Sequence, residues 1–135
     1  MNSGNPINAS LALAADAAAV GAALAATRGF ADAAGLAPGP ARRLAIIVEE
    51  LVANLIDHAG LGADDVIDLA LLRHPGQVVV VLGDPAPPFD PRLAPLPADL
   101  PPHGGAGLAL VRAFAEGIDY GRNGGRNRLE VRITG

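Results

Sequence analysis

Residues 40–58 read PARRLAIIVEELVANLIDH. Leu44, Ile47, Val48, Leu51, Val52 and Leu55 recur at three- and four-residue steps, the spacing of one apolar helix face. This is the clearest element of the chain, a helix from near Pro40 to His58 with Gly60 as its stop. Positions four apart lie about 40° from each other around a helix, so Glu50 and Asn54 share a stripe along one edge of that face. His58 continues the stripe one turn further, and Glu49 lies well around the other side.

Upstream, residues 1–8 read as a loose tail and Ser10 to Ala15 as a short first strand. Asp16 is the expected N-cap of an Ala-rich helix to about Ala34, ended by Gly35. Pro38-Gly39-Pro40 then reads as a turn. Downstream, Val66 to Leu72 reads as a strand and His74-Pro75-Gly76-Gln77 as a turn. Val78 to Leu82 is a β-branched run expected at the centre of a sheet, closing a hairpin with a loop of four to five residues.

Residues 83–103 carry eight prolines, which excludes a regular helix or an inner strand. A long irregular loop inside a compact domain reads as a lid, a binding loop or disorder, and the lid is placed at 84–103. Gly104-Gly105-Ala106-Gly107 leads into a third helix from Leu108 to Ala115. Ile118 to Tyr120 reads as a short strand, Asn123-Gly124-Gly125 as a turn, and Leu129 to Ile133 as a last alternating strand. The order β-α-α-β-β-lid-α-β-β predicts an α+β two-layer sandwich occupying residues 9–135 as one domain.

Composition narrows the chemistry. All ten basic residues are Arg, so a Walker-type phosphate loop and Schiff-base catalysis, both of which need Lys, are excluded. The absence of Cys excludes disulfides and thiolate sites. The only two Ser are Ser3 and Ser10, which leaves no hydrolase elbow, and the three His lack metal-ligand spacing. A net charge of −4 with no basic block argues against direct nucleic-acid binding. No apolar run spans a bilayer and the N-terminus lacks a positive region, so a cytoplasmic protein without a membrane anchor is expected.

Three segments then carry candidate chemistry. Glu50 and Asn54 can supply a general base and an oxygen ligand for magnesium, although an amphipathic helix with a polar edge shows the same pattern. Asp84, at the end of the buried strand in a proline-stiffened loop, can accept a hydrogen bond from an exocyclic amine such as adenine N6, or be a solvated turn residue. The Gly104–Gly107 run entering a helix can cradle a phosphate without Lys, or be a plain hinge.

The order of these segments resembles the GHKL, or Bergerat-fold, ATPase superfamily. Its first motif, a Glu four residues before a magnesium-binding Asn, reads ELVANLIDHA from Glu50 here; its Asp loop reads DPAPPFDP from Asp84; its glycine motif reads GGAGLAL from Gly104. His58-Ala59, Pro88-Phe89-Asp90-Pro91 and Asn127-Arg128-Leu129 after Gly124-Gly125 are similar to the anti-sigma-factor serine/threonine kinase branch. The resemblance covers about residues 8–135. It implies a mostly antiparallel sheet covered on one face by about three helices. It assigns Glu50 as the base, Asn54 to magnesium and nucleotide, and Asp84 to adenine, with Gly104, Gly105 and Gly107 on the phosphates. His58, Ala86, Phe89 and Leu108 would border the nucleotide; His58 would mainly shape the helix end, and Phe89 would anchor the lid or lie near the base. The motif usually has Gly where this chain has Ala86, and a positive φ there would strain an L residue.

By the same resemblance, ATP or ADP with Mg2+ would be bound, and the activity would be phosphorylation of a serine on an anti-anti-sigma (STAS) partner. A sigma factor would be held in the alternative state. Two other functions fit: a non-catalytic partner-switching module with weak or no nucleotide binding, and the ATP-binding domain of a histidine-kinase-like system. Relatives in the kinase branch often form homodimers, so the resemblance admits one here.

Overall fold

The computed structural model describes residues 7–93 and 106–135. Strand β1 (Asn8–Ala14) leads into helix α1 (Ala19–Ala34) and helix α2 (Pro38–His58). The hairpin β2 (Val66–His74) and β3 (Gln77–Asp84) follows, then α3 (Ala106–Phe114) and the hairpin β4 (Gly117–Asn123) and β5 (Arg126–Thr134). This is the element order expected from the sequence, and the fold is α+β.

The five strands form one antiparallel sheet in the order β1-β2-β3-β5-β4. Successive strand residues face opposite sides, so Ile67, Leu69 and Leu71 of β2, Val78, Val80 and Leu82 of β3, and Leu129, Val131 and Ile133 of β5 share one face. Against it pack Ala23 and Phe30 of α1, Leu44, Ile47, Val48, Leu51 and Val52 of α2, and Val111 of α3. A single core therefore lies between the sheet and the helices, built almost wholly from aliphatic side chains. The run of Val residues in β3 is central, as its β-branched content predicts.

Several boundaries differ from the sequence expectations. Asp16 is not the N-cap of α1: that position is Ala18, and Asp16 Oδ1 accepts the Ala18 N–H at 2.9 Å in a turn before the helix. Pro38-Gly39-Pro40 is not a turn but the first turn of α2, where N–H groups have no intrahelical acceptor and proline costs nothing. The strands β1, β4 and β5 are longer than expected, and β1 already begins at Asn8, inside the segment read as tail. The β2–β3 hairpin is tighter than expected, since His74 pairs with Gln77 and leaves only Pro75-Gly76 as the loop.

The β4–β5 hairpin also closes on two residues, Gly124 and Gly125, with φ of 62° and 77°. Two consecutive positive φ values match the right-handed twist of the flanking strands, and glycine takes them without strain. This turn sets the register that pairs Tyr120 with Leu129 and Arg122 with Asn127.

Candidate functional site

A cleft of about 350 Å³ opens between the end of α2, the start of α3 and the sheet. Leu51 and Leu55 of α2, with Leu82 of β3 and Leu129 of β5, give it apolar walls. Its polar rim comes from Asn54 and His58 of α2, Asp84 at the end of β3, and Tyr120 and Asn127 of the last hairpin. Pro87, Pro88 and Phe89 of the loop after β3 close one side.

Asp84 is the most constrained of these groups. It is 5% exposed, and its Oδ1 accepts the Ala86 N–H at 2.9 Å and the Asn127 amide at 3.0 Å. Its Oδ2 takes no hydrogen bond from the described residues. Among those residues no buried side-chain oxygen or nitrogen lacks a partner, so Oδ2 is reachable by solvent, on a residue that lines the cleft. The short bond to Ala86 N–H is the local turn that Asp favours after a strand end.

Ala86 is buried at the cleft, and no described non-glycine residue has a positive φ. The strain that a left-handed backbone would have imposed on Ala86 does not arise. Its carbonyl is held by the Asn127 amide at 3.1 Å and by Arg122 Nη1 at 2.9 Å. Phe89 lies at the cleft but is 46% exposed, so it is a ring beside the opening and not a buried anchor. Beyond it, Arg92 makes a two-pronged contact with Asp90, and its guanidinium holds the Asp90 carboxyl below its ordinary pKa. Arg112 of α3 donates to the Pro91 carbonyl at 3.0 Å, which ties this loop to the helix.

The helix stripe is only partly gathered into the cleft. Asn54 and His58 line it, with the Asn54 carboxamide making no hydrogen bond to the described residues. Glu50, one turn earlier, is half-buried and is not among the lining residues. Burial pushes its carboxyl above the ordinary pKa, and the neighbouring Glu49 carboxylate adds to that rise. Leu108 lines the cleft from α3, and Gly107 sits in the first turn of that helix. Gly104, Gly105 and residues 94–103 of the expected lid lie outside the described residues.

Sequence reasoning missed Asn127 and Tyr120 as site residues. The signal for Asn127 was present, because it falls in phase with Leu129, Val131 and Ile133, on the face of β5 that the core covers. A carboxamide on an otherwise apolar strand face requires buried partners, and here they belong to the cleft.

Comparison with known proteins agrees with this geometry. A family model described as the histidine kinase-like ATPase domain matches residues 13–133. No curated protein matches the chain. Among solved structures, the chain is similar to one containing the RsbU and RsbW domains of Rv1364c from Mycobacterium tuberculosis, with a TM-score of 0.66 and 17% identity over 94% of this chain and 32% of that one. It is also similar to a chain of the SiaB-SiaC complex from Pseudomonas aeruginosa, with a TM-score of 0.61 and 17% identity over 93% and 88% of the two chains. The present chain thus spans about a third of the length of the first. At this identity the likenesses carry the fold, while the family match runs from the end of β1 into β5 and includes every cleft residue named above. An aliphatic core between one antiparallel sheet and three helices, with its cleft beside an Asp at a strand end, places this chain in the histidine kinase-like ATPase domain family.

Proposed function

We propose that this domain binds ATP or ADP in the cleft and acts as a protein-serine kinase in a partner-switching system. The observation that carries the reading is the Asp84 carboxylate, which lines an apolar cleft and has one oxygen filled by Ala86 and Asn127 and the other without a hydrogen bond from the described residues. Such an acceptor suits the exocyclic amine of adenine, and the leucine walls suit the faces of its ring. The phosphates would run toward Asn54 and the start of α3, where Gly107 sits in the first turn and a helix N-terminus offers backbone N–H groups.

Magnesium fits the donor chemistry through Asn54. Its carboxamide is uncommitted, and no group of three or more His, Cys, Asp or Glu is gathered into a metal site among the described residues. The ion would take one protein oxygen and fill its remaining positions with phosphate and water. When bound, it supplies neutralisation of phosphate charge in a chain that has no Lys. Glu50 would accept the proton of a serine hydroxyl on a partner protein. The serine oxygen forms its bond to the γ-phosphorus as the bond to the β–γ bridging oxygen breaks and ADP leaves. Its raised pKa brings the carboxyl nearer to neutral pH, where a general base works best.

The partner is proposed to be an anti-anti-sigma (STAS) protein, with a sigma factor held in the alternative state. The motifs at Glu50, Asp84 and Asn127-Arg128-Leu129 support this, as does the fold likeness to a chain solved within a two-protein complex. Phosphorylation would switch partners by adding charge at an interface. A second reading keeps the fold and the partner but not the chemistry. It is favoured by the position of Glu50 outside the cleft lining.

Calorimetry with ADP and ATP, with and without magnesium, on the wild type and Asn54→Ala tests the proposal. Magnesium-dependent binding that Asn54→Ala weakens supports the kinase reading and leads to a phosphorylation assay on STAS proteins. No binding at millimolar nucleotide overturns it and leaves a partner-holding module.

A further inference from the structure

We infer that Asn127 is a positioning residue that sets base specificity by holding the Asp84 carboxylate in one orientation, with one oxygen left as a fixed acceptor. The inference rests on the nucleotide reading above and adds to it a residue on a different strand.

Asn127 is 4% exposed and lies across the β3–β5 ladder from Asp84. Its two amide hydrogens are shared among three acceptors: Asp84 Oδ1 at 3.0 Å, the Ala86 carbonyl at 3.1 Å and the Pro87 carbonyl at 3.1 Å. Its own Oδ1 accepts from the Tyr120 hydroxyl and from Arg122 Nη1, the latter at 2.9 Å. Every polar atom of the side chain is thus committed, and the two donors on the far side fix which end of the amide faces Asp84. A rotated amide would set its oxygen against one carboxylate and two carbonyls, and its NH2 against a guanidinium.

This arrangement acts on the ligand through Asp84. With Oδ1 filled by two N–H donors, only Oδ2 remains, and it is an acceptor. The carboxylate plane cannot rotate or shift away from this orientation without breaking a buried hydrogen bond. The bonds to the Ala86 and Pro87 carbonyls hold the loop that forms one wall of the cleft, so the distance from acceptor to wall is fixed as well. A purine with an amine at position 6 meets a fixed acceptor, whereas one with a carbonyl there meets a second acceptor and is repelled. A site built around a fixed polar group rejects the wrong partner far better than a loose one does.

The test is to titrate ADP and inosine diphosphate into the wild type, Asn127→Ser and Arg122→Gln, with thermal unfolding of each. Asn127→Ser is expected to weaken ADP by about tenfold and inosine diphosphate by less than about twofold, so that discrimination collapses. Arg122→Gln removes a donor that holds Asn127 from the solvent side. It keeps the test open should Asn127→Ser not fold, and it is expected to move the ratio in the same direction by about two- to threefold. If both ligands weaken equally in the variants, Asn127 is merely structural and the inference fails while nucleotide binding stands. An unchanged ratio in a folded Arg122→Gln protein overturns it too. If the wild type binds neither diphosphate, the nucleotide reading and this inference fall together.

Discussion

The two sides of the cleft are built in different ways. On the sheet side, Asp84 and Asn127 are almost fully buried, bonded to each other and to the loop at Ala86 and Pro87, and backed by Tyr120 and Arg122. On the helix side, Glu50, Asn54 and His58 sit on one stripe of α2, half-buried or exposed, and only Asn54 and His58 reach the cleft. The sheet side is preorganised, because its groups are held by neighbours on two strands. The helix side has its polar groups uncommitted, which suits residues whose partners are a metal ion, phosphates or another protein. On the proposed function, recognition of the base would belong to the first side and chemistry to the second.

The strongest test of that division is Glu50→Gln. As the proposed base it should lower the rate of serine phosphorylation by about 10²- to 10⁴-fold while leaving ADP affinity within about twofold. A single-turnover phosphorylation assay beside an ADP titration measures both. Loss of ADP binding with loss of rate would place Glu50 in ligand recognition and erase the contrast between the two sides.

Asp84→Ala is the matching change on the sheet side. It removes the acceptor and leaves the buried Asn127 amide with one partner fewer, so ADP affinity should fall by about 100-fold and stability by about 1–3 kcal/mol. Asn54→Ala should behave differently. Its side chain makes no bond to the described residues, and alanine is the better helix former, so stability should stay within about 0.5 kcal/mol of the wild type. Magnesium-dependent ATP affinity should drop about tenfold, with metal-free ADP binding little changed. Denaturant unfolding and calorimetry separate the two patterns, and equal stability losses would show that both sides are held by the same kind of packing.

Much of this molecule was legible in the sequence for one physical reason: period. The 3.6-residue pattern of α2 and the β-branched run of β3 fixed the two elements that meet at the core, and Asp84 followed from its place at the end of that run. What escaped were features decided by partners distant along the chain. Asn127 gains its role from Asp84, 43 positions earlier, and Tyr120 from the register that Gly124-Gly125 imposes. The start of α2 was misplaced because Pro-Gly-Pro signals a turn locally, while a helix N-terminus accepts the same residues at no cost. Glu50 and Asn54 were rightly put on one stripe, but periodicity does not say which residues of a helix a cleft takes in, and this one is lined by Leu51 and Asn54 and not by Glu50.

The smallest expected effect concerns Glu50 and pH. Its folded-state pKa is raised, first by burial and then by Glu49, so the folded state disfavours the charged carboxylate relative to the unfolded chain. Whatever stability this group contributes is fully present below its ordinary value of 4.5, and it is lost as pH rises through that value to the higher folded one. Glu50→Gln carries no charge at any pH and should lack this loss, so the variant should gain on the wild type between pH 4 and pH 7. The gain should stay under about 1 kcal/mol, because the carboxyl remains partly solvated. Denaturant unfolding of both proteins at the two pH values measures it. A variant that loses ground as pH rises would mean that ionised Glu50 is stabilised by the fold, and the helix side would then be no less preorganised than the sheet side.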